Sequence, residues 1–338
     1  MTQLEVYYPA GRDVSAWERA HLAGDVPDRW PYGLHKLGRP GDLKVKSVEA
    51  KALRPLGIAR TVVSRTAPAD ESKPMSLAWD EDLALRLISE RPTHQKFSGV
   101  IWATDRLAAK ETGPKDVLLK KLLPRMNGLW ALSQPQTELI RAWLGRGAPP
   151  VHFLRFGIDH EFFALSEYPV TPLILSIGRD RDRDPGTLFA VAEEVLRHRP
   201  DAEFIVQTGT TLRPPAGVRV IPTIPHRQLR EYYQRASVVA VATRPNVHVS
   251  GMTVALESLS TGRPVVMSDT PGMRDYVEDG IDGLLYRCGD AHGMAEGILS
   301  LLNAPDLAKQ MGLRGSERVR AVHTTDVMAE ALRKIVNL

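Results

Sequence analysis

From about residue 170 onward, short β-branched and apolar runs alternate with stretches whose apolar positions recur every three or four residues. That alternation predicts a parallel sheet covered by helices on both faces. The runs fall at residues 173–177, 203–207, 218–221, 238–242, 264–268 and 284–286. Between the first two, Asp184 can cap a helix with Pro185 at its first position, and Leu188, Val191, Ala192, Val195 and Leu196 share one face. A second helix, residues 225–236, turns Leu229, Tyr232, Tyr233 and Ala236 inward. Ligands of such a sheet sit at the carboxyl ends of its strands.

The first half carries the same rhythm more faintly. Strands are expected at residues 4–8, 44–48, 99–103 and 128–132. After the last of these, Ser133 and Gln136 have the spacing of a capping box, Leu139, Ile140, Trp143 and Leu144 form the apolar face, and Gly145 ends the helix. A further extended run covers residues 151–155, and a proline pair at Pro169 and Pro172 precedes the second half. No internal repeat or low-complexity segment interrupts the pattern.

Composition narrows the class. A chain of 338 residues, 43% hydrophobic and 25% charged, can bury two ordinary cores. No run of about 18 apolar residues occurs, and the start lacks the basic and apolar regions of a signal peptide, so a cytoplasmic protein is expected. The single cysteine, Cys288, rules out an internal disulfide and a cysteine-based metal cage. A net charge of +4 suits an anionic ligand but is too mild to call for nucleic acid.

Candidate chemistry concentrates in two places. Ser250-Gly251-Met252-Thr253 opens a helix that carries Glu257, Gly262 stops it, and a buried run follows. Such a helix mouth gathers a partial positive charge of roughly +0.5 and favours phosphate. Glu257 then lies one turn inside, at about the depth of a ribose whose diphosphate occupied the mouth. The strand at 173–177 ends in Gly178-Arg179-Asp180-Arg181-Asp182-Arg183-Asp184, where guanidinium forks suit phosphate oxygens. The plainer reading is a solvated loop of mutually satisfied charges. The alternating aspartates have the look of a metal site, but the interleaved arginines oppose a cation, and Asp184 serves better as a helix cap.

These words resemble the signature of the family-4 retaining glycosyltransferases (group 1 glycosyl transferases), which have the GT-B fold. The match continues through Gly262-Arg263-Pro264, Asp269-Thr270-Pro271-Gly272 and residues 275–283. Phe156-Gly157-Ile158-Asp159 is similar to the family's crossing between domains, with Phe156 in place of an asparagine. The resemblance implies that Gly178 and Arg179 meet a donor diphosphate, with Arg179 matching the family's arginine directly, that Arg183 takes the place of the family's lysine at a spacing one residue shorter, and that Glu257 holds the ribose. Gly251, Met252 and Thr253 would offer backbone contacts. The family places a second glutamate eight residues before Glu257, where this chain has Val249. His248 or Ser250 can stand in for that carboxylate, or His248 is a solvated loop residue. Asp105 occupies the place where many relatives have a histidine near the reacting sugar, or it caps a helix.

The expectations are therefore an α/β GT-B protein with two Rossmann-like parallel-sheet domains facing an interdomain cleft. Residues 1–168 would bind the acceptor, 169–322 the donor, and 323–338 would cross back to the first domain. The expected activity is metal-independent transfer, with retention, from a nucleoside-diphosphate sugar to a small-molecule, glycan or lipid-linked acceptor; a nucleotide-sugar binder without catalysis is the alternative. No resident cofactor and no nucleic acid are expected. The aromatic loop at Trp30-Pro31-Tyr32 either lines the acceptor or staples a helix entry. Lys110, Lys115, Lys120, Lys121 and Arg125 lie either on a weak lipid contact or on an ordinary solvated face.

Overall fold

The computed structural model describes residues 2–9, 11–38, 43–49 and 73–338. Ala10 lies outside them. The chain forms two compact units, one of residues Met1–Arg19, Arg29–Arg155 and Met328–Leu338, the other of Ala20–Asp28 and Phe156–Val327.

The first unit contains a parallel six-stranded sheet: β1 Thr2–Tyr8, β2 Leu43–Glu49, β3 Met75–Ala78, β4 Gln95–Gly99, β5 Gly128–Ala131 and β6 Val151–Phe153, in the order β2-β1-β3-β4-β5-β6. Two elements depart from the sequence reading. The residues 99–103 do not form a strand; the strand lies four residues earlier and a helix, Ala103–Ala108, starts where it was expected to end. Polar Gln95 and Lys96 hid it. Both are buried, and the Lys96 ammonium donates to the carbonyls of Arg91, Pro92 and His94, which satisfies the charge inside the sheet. β3 was not anticipated, because four buried residues are too few to display a period. Ser133 caps the helix Gln134–Leu144 through Gln136 N, and Gln136 reaches one residue further back than expected, to Leu132 N. Gly145, at φ 66°, ends it.

The second unit holds β7 Leu173–Ser176, β8 Glu203–Gln207, β9 Val218–Ile221, β10 Val238–Val241, β11 Val265–Ser268 and β12 Gly283–Tyr286. Every strand predicted here is present within one residue at each end. Their order, β12-β11-β10-β7-β8-β9, is parallel throughout. The chain leaves β7 in one direction across the sheet and returns to its other side at β10. The strand order reverses between those two, and this is where a doubly wound sheet opens a crevice for ligand. Asp184 caps Pro185–His198 as expected, and Leu188, Phe189, Val191, Ala192 and Val195 bury its inner face in the core with Ile174, Phe204 and Val266. Among the described residues no helix is long and apolar enough to cross a membrane.

Candidate functional site

Past the carboxyl end of β7, the chain is stitched to the segment that leaves β10. Asp184 N donates to Ala242 O at 3.0 Å and Arg244 N to Asp182 O at 2.8 Å, on either side of an antiparallel bridge between Arg183 and Thr243. The stitch aims Arg183 at the start of the helix Met252–Ser260. Gly251 precedes that helix at φ 94°, and a Cβ there would lie 2.9 Å from Met267 Cε and 3.0 Å from both Val241 Cγ1 and Arg183 Nη1. Only glycine satisfies both constraints. Gly178, at φ 125°, bounds the guanidinium on its other side.

Arg183 Nε and Nη1 are buried and have no hydrogen-bond partner among the described residues. Burial lowers the guanidinium's pKa, opposed by the nearby Asp180 and Glu257 carboxylates. Buried donors without acceptors are costly, roughly 1–3 kcal/mol each, and here they point at a helix mouth that also offers N–H groups. That combination is a seat for an anion.

Asp180 braces the loop. It accepts Ser250 Oγ–H and, at 2.8 Å, Asp182 N–H, and His248 Nε2 lies 3.6 Å away. Burial opposes its ionisation, but the nearby His248 ring, the bonds from Ser250 and the Asp182 amide and the charge of Arg183 together hold it well below the usual carboxylate range. Asn246 orders the same turn by accepting from Ser250 N at 2.9 Å and donating to Arg244 O at 2.8 Å. Between His248 and Ser250, Val249 is 1% exposed with φ 58°. A β-branched residue in the left-handed region is strained, by about 1–3 kcal/mol, and persists only where its surroundings impose it.

Within Met252–Ser260 every residue is buried except Thr253 and Glu257, which are four apart and share one face. Glu257 Oε2 accepts from the hydroxyl of fully buried Tyr233 at 2.8 Å. Burial pushes the Glu257 carboxyl up to about 7, against the Tyr233 bond and the Arg183 charge, although the residue keeps some solvent exposure on the open face.

The second unit thus gathers Gly178, Arg183, His248, Ser250, Gly251, Met252, Thr253 and Glu257 around one helix mouth. Arg179 stands on its flank, exposed, with Nη1 donating to Thr223 Oγ1 at 2.7 Å. Asp105 belongs to the first unit, half-buried in the first turn of Ala103–Ala108. That helix start is held by fully buried Glu81, which accepts from Ile101 N at 2.8 Å and from Ala103 N. Trp30 is a staple, donating to Glu18 Oε1 at 2.7 Å, whereas half-buried Tyr32 stacks on Trp79 with centroids 4.4 Å apart. The helix Pro114–Leu122 buries Asp116, Leu119 and Leu122 and exposes Lys115, Val117, Lys120 and Lys121. Sequence reasoning missed Tyr233, Asp180, Asn246 and Glu81 as site-forming residues. Helical periodicity placed Tyr233 inward but carried no signal of what its hydroxyl meets.

Residues 171–304 match the family described as "Glycosyl transferases group 1". The chain is 29% identical over 189 residues to D-inositol 3-phosphate glycosyltransferase of Nocardia farcinica, covering 48% of this chain and 40% of that one. It is 26% identical over 239 residues to alpha-maltose-1-phosphate synthase of Mycolicibacterium smegmatis, covering 59% and 60%. The chain therefore spans about 40–60% of the length of these curated relatives. Among solved structures, sucrose-phosphate synthase from Thermosynechococcus elongatus superposes with TM-score 0.72 at 16% identity, over 100% of this chain and 98% of that one. Anabaena HepE in complex with UDP-glucose gives 0.70 at 13% identity over 100% of both. At these identities the likeness is one of fold, and the fold is GT-B, with two Rossmann-like domains.

Proposed function

We propose that this chain, whose residues 171–304 belong to the group 1 glycosyl transferases, moves a sugar from a nucleoside diphosphate to a hydroxyl-bearing acceptor. The observation that carries the reading is the Arg183 guanidinium, whose Nε and Nη1 are buried without partners at the mouth of Met252–Ser260. A diphosphate would supply the missing acceptors. Glu257, one turn along the open face, would take the ribose hydroxyls, and Thr253 lies between the two. The relatives with glycosyltransferase names and the neighbour bound to UDP-glucose support the same assignment.

In the transfer, the bond between the sugar's anomeric carbon and the diphosphate oxygen breaks as the acceptor oxygen bonds to that carbon. The departing phosphate takes the acceptor's proton, so configuration is retained. Arg183 and the helix mouth stabilise the charge that grows on the phosphate, and Arg179 can swing in from Thr223 to add a second fork. These cationic groups do what a divalent ion does elsewhere, so no metal is needed. The acceptor is a small molecule, a glycan or a lipid-linked compound.

A binder without turnover is the second reading, favoured by Val249, whose buried apolar side chain offers a sugar hydroxyl nothing. Thermal-shift screening against uridine, guanosine, adenosine and thymidine diphosphates, followed by turnover of the matching labelled sugars, separates the two. Stabilisation by a diphosphate with transfer or slow donor hydrolysis supports the enzyme. Stabilisation with no turnover of any donor leaves the binder, and no stabilisation by any nucleotide overturns both.

A further inference from the structure

We infer that Tyr233 is a positioning residue for nucleotide recognition: its hydroxyl holds the Glu257 carboxylate ionised and oriented, so that the ribose is bound by the Tyr233–Glu257 pair. The inference rests on the donor-site reading above and adds to it a residue from a different helix.

The geometry is specific. Tyr233 lies in the last turn of His226–Arg235, is fully buried, and donates to Glu257 Oε2 at 2.8 Å. Its own position is held from two sides. Fully buried Arg263 donates to Tyr233 O at 3.1 Å and to Gln234 O at 2.8 Å, pinning the last turn of the helix. Phe163 meets the ring edge-on with centroids 5.9 Å apart. A phenol fixed in this way has one use for its proton, because no water need be displaced and no rotation is required to reach the carboxylate. Its bond occupies Oε2 from the protein side and leaves Glu257's remaining lone pairs on the face it shares with Thr253.

A neutral carboxylic acid turns one oxygen into a donor and accepts more weakly, so two ribose hydroxyls are held better by the ionised form. Three groups act on it. Burial opposes the charge, the Tyr233 bond favours it, and the Arg183 guanidinium favours it; the helix Met252–Ser260 has no other ionisable residue. With the free carboxyl at about 7, the ribose-dependent part of binding grows as pH rises through neutrality.

The test measures dissociation constants by calorimetry between pH 6 and 9 for UDP and for 2′,3′-dideoxy-UDP, with wild type and Tyr233→Phe. Phosphate titration cancels in the ratio of the two ligands. In wild type the preference for the ribonucleotide should rise through pH 7. In Tyr233→Phe the same rise should move up by about one pH unit, the size expected for losing one bond to a carboxylate. Glu257→Gln should abolish the rise. A merely structural role would lower affinity for both ligands by one factor at every pH. The same shift should appear without ligand, in the carbon-13 titration of the Glu257 carboxyl. An unmoved Glu257 titration in Tyr233→Phe, or a preference with no pH dependence in wild type, overturns the inference while leaving diphosphate binding intact. Failure of wild type to bind either nucleotide, or the guanosine and adenosine pairs, would instead overturn the parent reading and this one with it.

Discussion

Arg183 packs against Gly178 so closely that a Cβ on the glycine would lie 2.7 Å from the guanidinium carbon. Gly178, two residues past β7, stands at φ 125°, where glycine is favoured, and the contact seats the cation at the helix mouth. Arg183→Met should therefore weaken a nucleoside diphosphate about 10-fold or more, the cost of one or two charge-assisted bonds. The melting temperature of the unliganded protein should change little, because two buried unpartnered donors are removed together with the charge that favours ionised Asp180 and Glu257. Arg179→Ala, which frees an exposed side chain from Thr223, should cost the diphosphate less. Calorimetry on the two variants checks the order, and a larger loss in Arg179→Ala would assign the phosphate to the flank instead.

Val249 gives an inversion of the usual substitution order. At ordinary buried positions alanine is better tolerated than glycine by about 0.5–1 kcal/mol. At φ 58° the alanine keeps the backbone strain while losing two methyl groups, whereas glycine loses the strain as well. Val249→Gly should unfold in urea at a higher midpoint than Val249→Ala, by roughly 1 kcal/mol of stability. The reverse order would mean that the left-handed turn is not populated.

Glu81 predicts a pH dependence in the first unit. Burial, opposed by the backbone donors Ile101 and the residue's own amide, raises its carboxyl from 4.5 to about 6. A raised folded value means that its protonated form is favoured in the native state. The stabilisation is complete below pH 4.5 and is lost as pH rises through 6, and 1.5 units correspond to about 2 kcal/mol. Denaturant melts at pH 4.5 and 7.5 should show a difference between wild type and Glu81→Gln that shrinks by about that amount at the higher pH. A difference constant with pH contradicts it.

Transfer should proceed at full rate in EDTA, since Arg183 and the helix mouth already oppose the phosphate charge. Turnover of labelled donor before and after chelation measures this. Complete loss restored by magnesium or manganese would overturn this account of the 180–184 loop.

What the sequence determined by itself was the second sheet and the nature of its ligand face. Six apolar runs, the Asp184-Pro185 helix start and the glycine break before Met252 are local signals, because burial period and backbone preference are encoded within a few residues. The spacing of Thr253 and Glu257 likewise fixes a shared helix face without reference to anything distant. Tertiary structure decided which arginine enters the mouth. The sequence ranks Arg179 ahead of Arg183, whose spacing is displaced, but Arg183 is the one that packs against Gly251, and that depends on residues 182–184 pairing with 242–244, sixty residues away. It also decided that Ser250 and His248 turn toward Asp180, that Tyr233 meets Glu257, and that Lys96 can lie inside a sheet. Each of those depends on a partner brought close only by folding, and a polar residue's pattern shows that it needs a partner without showing which one it finds.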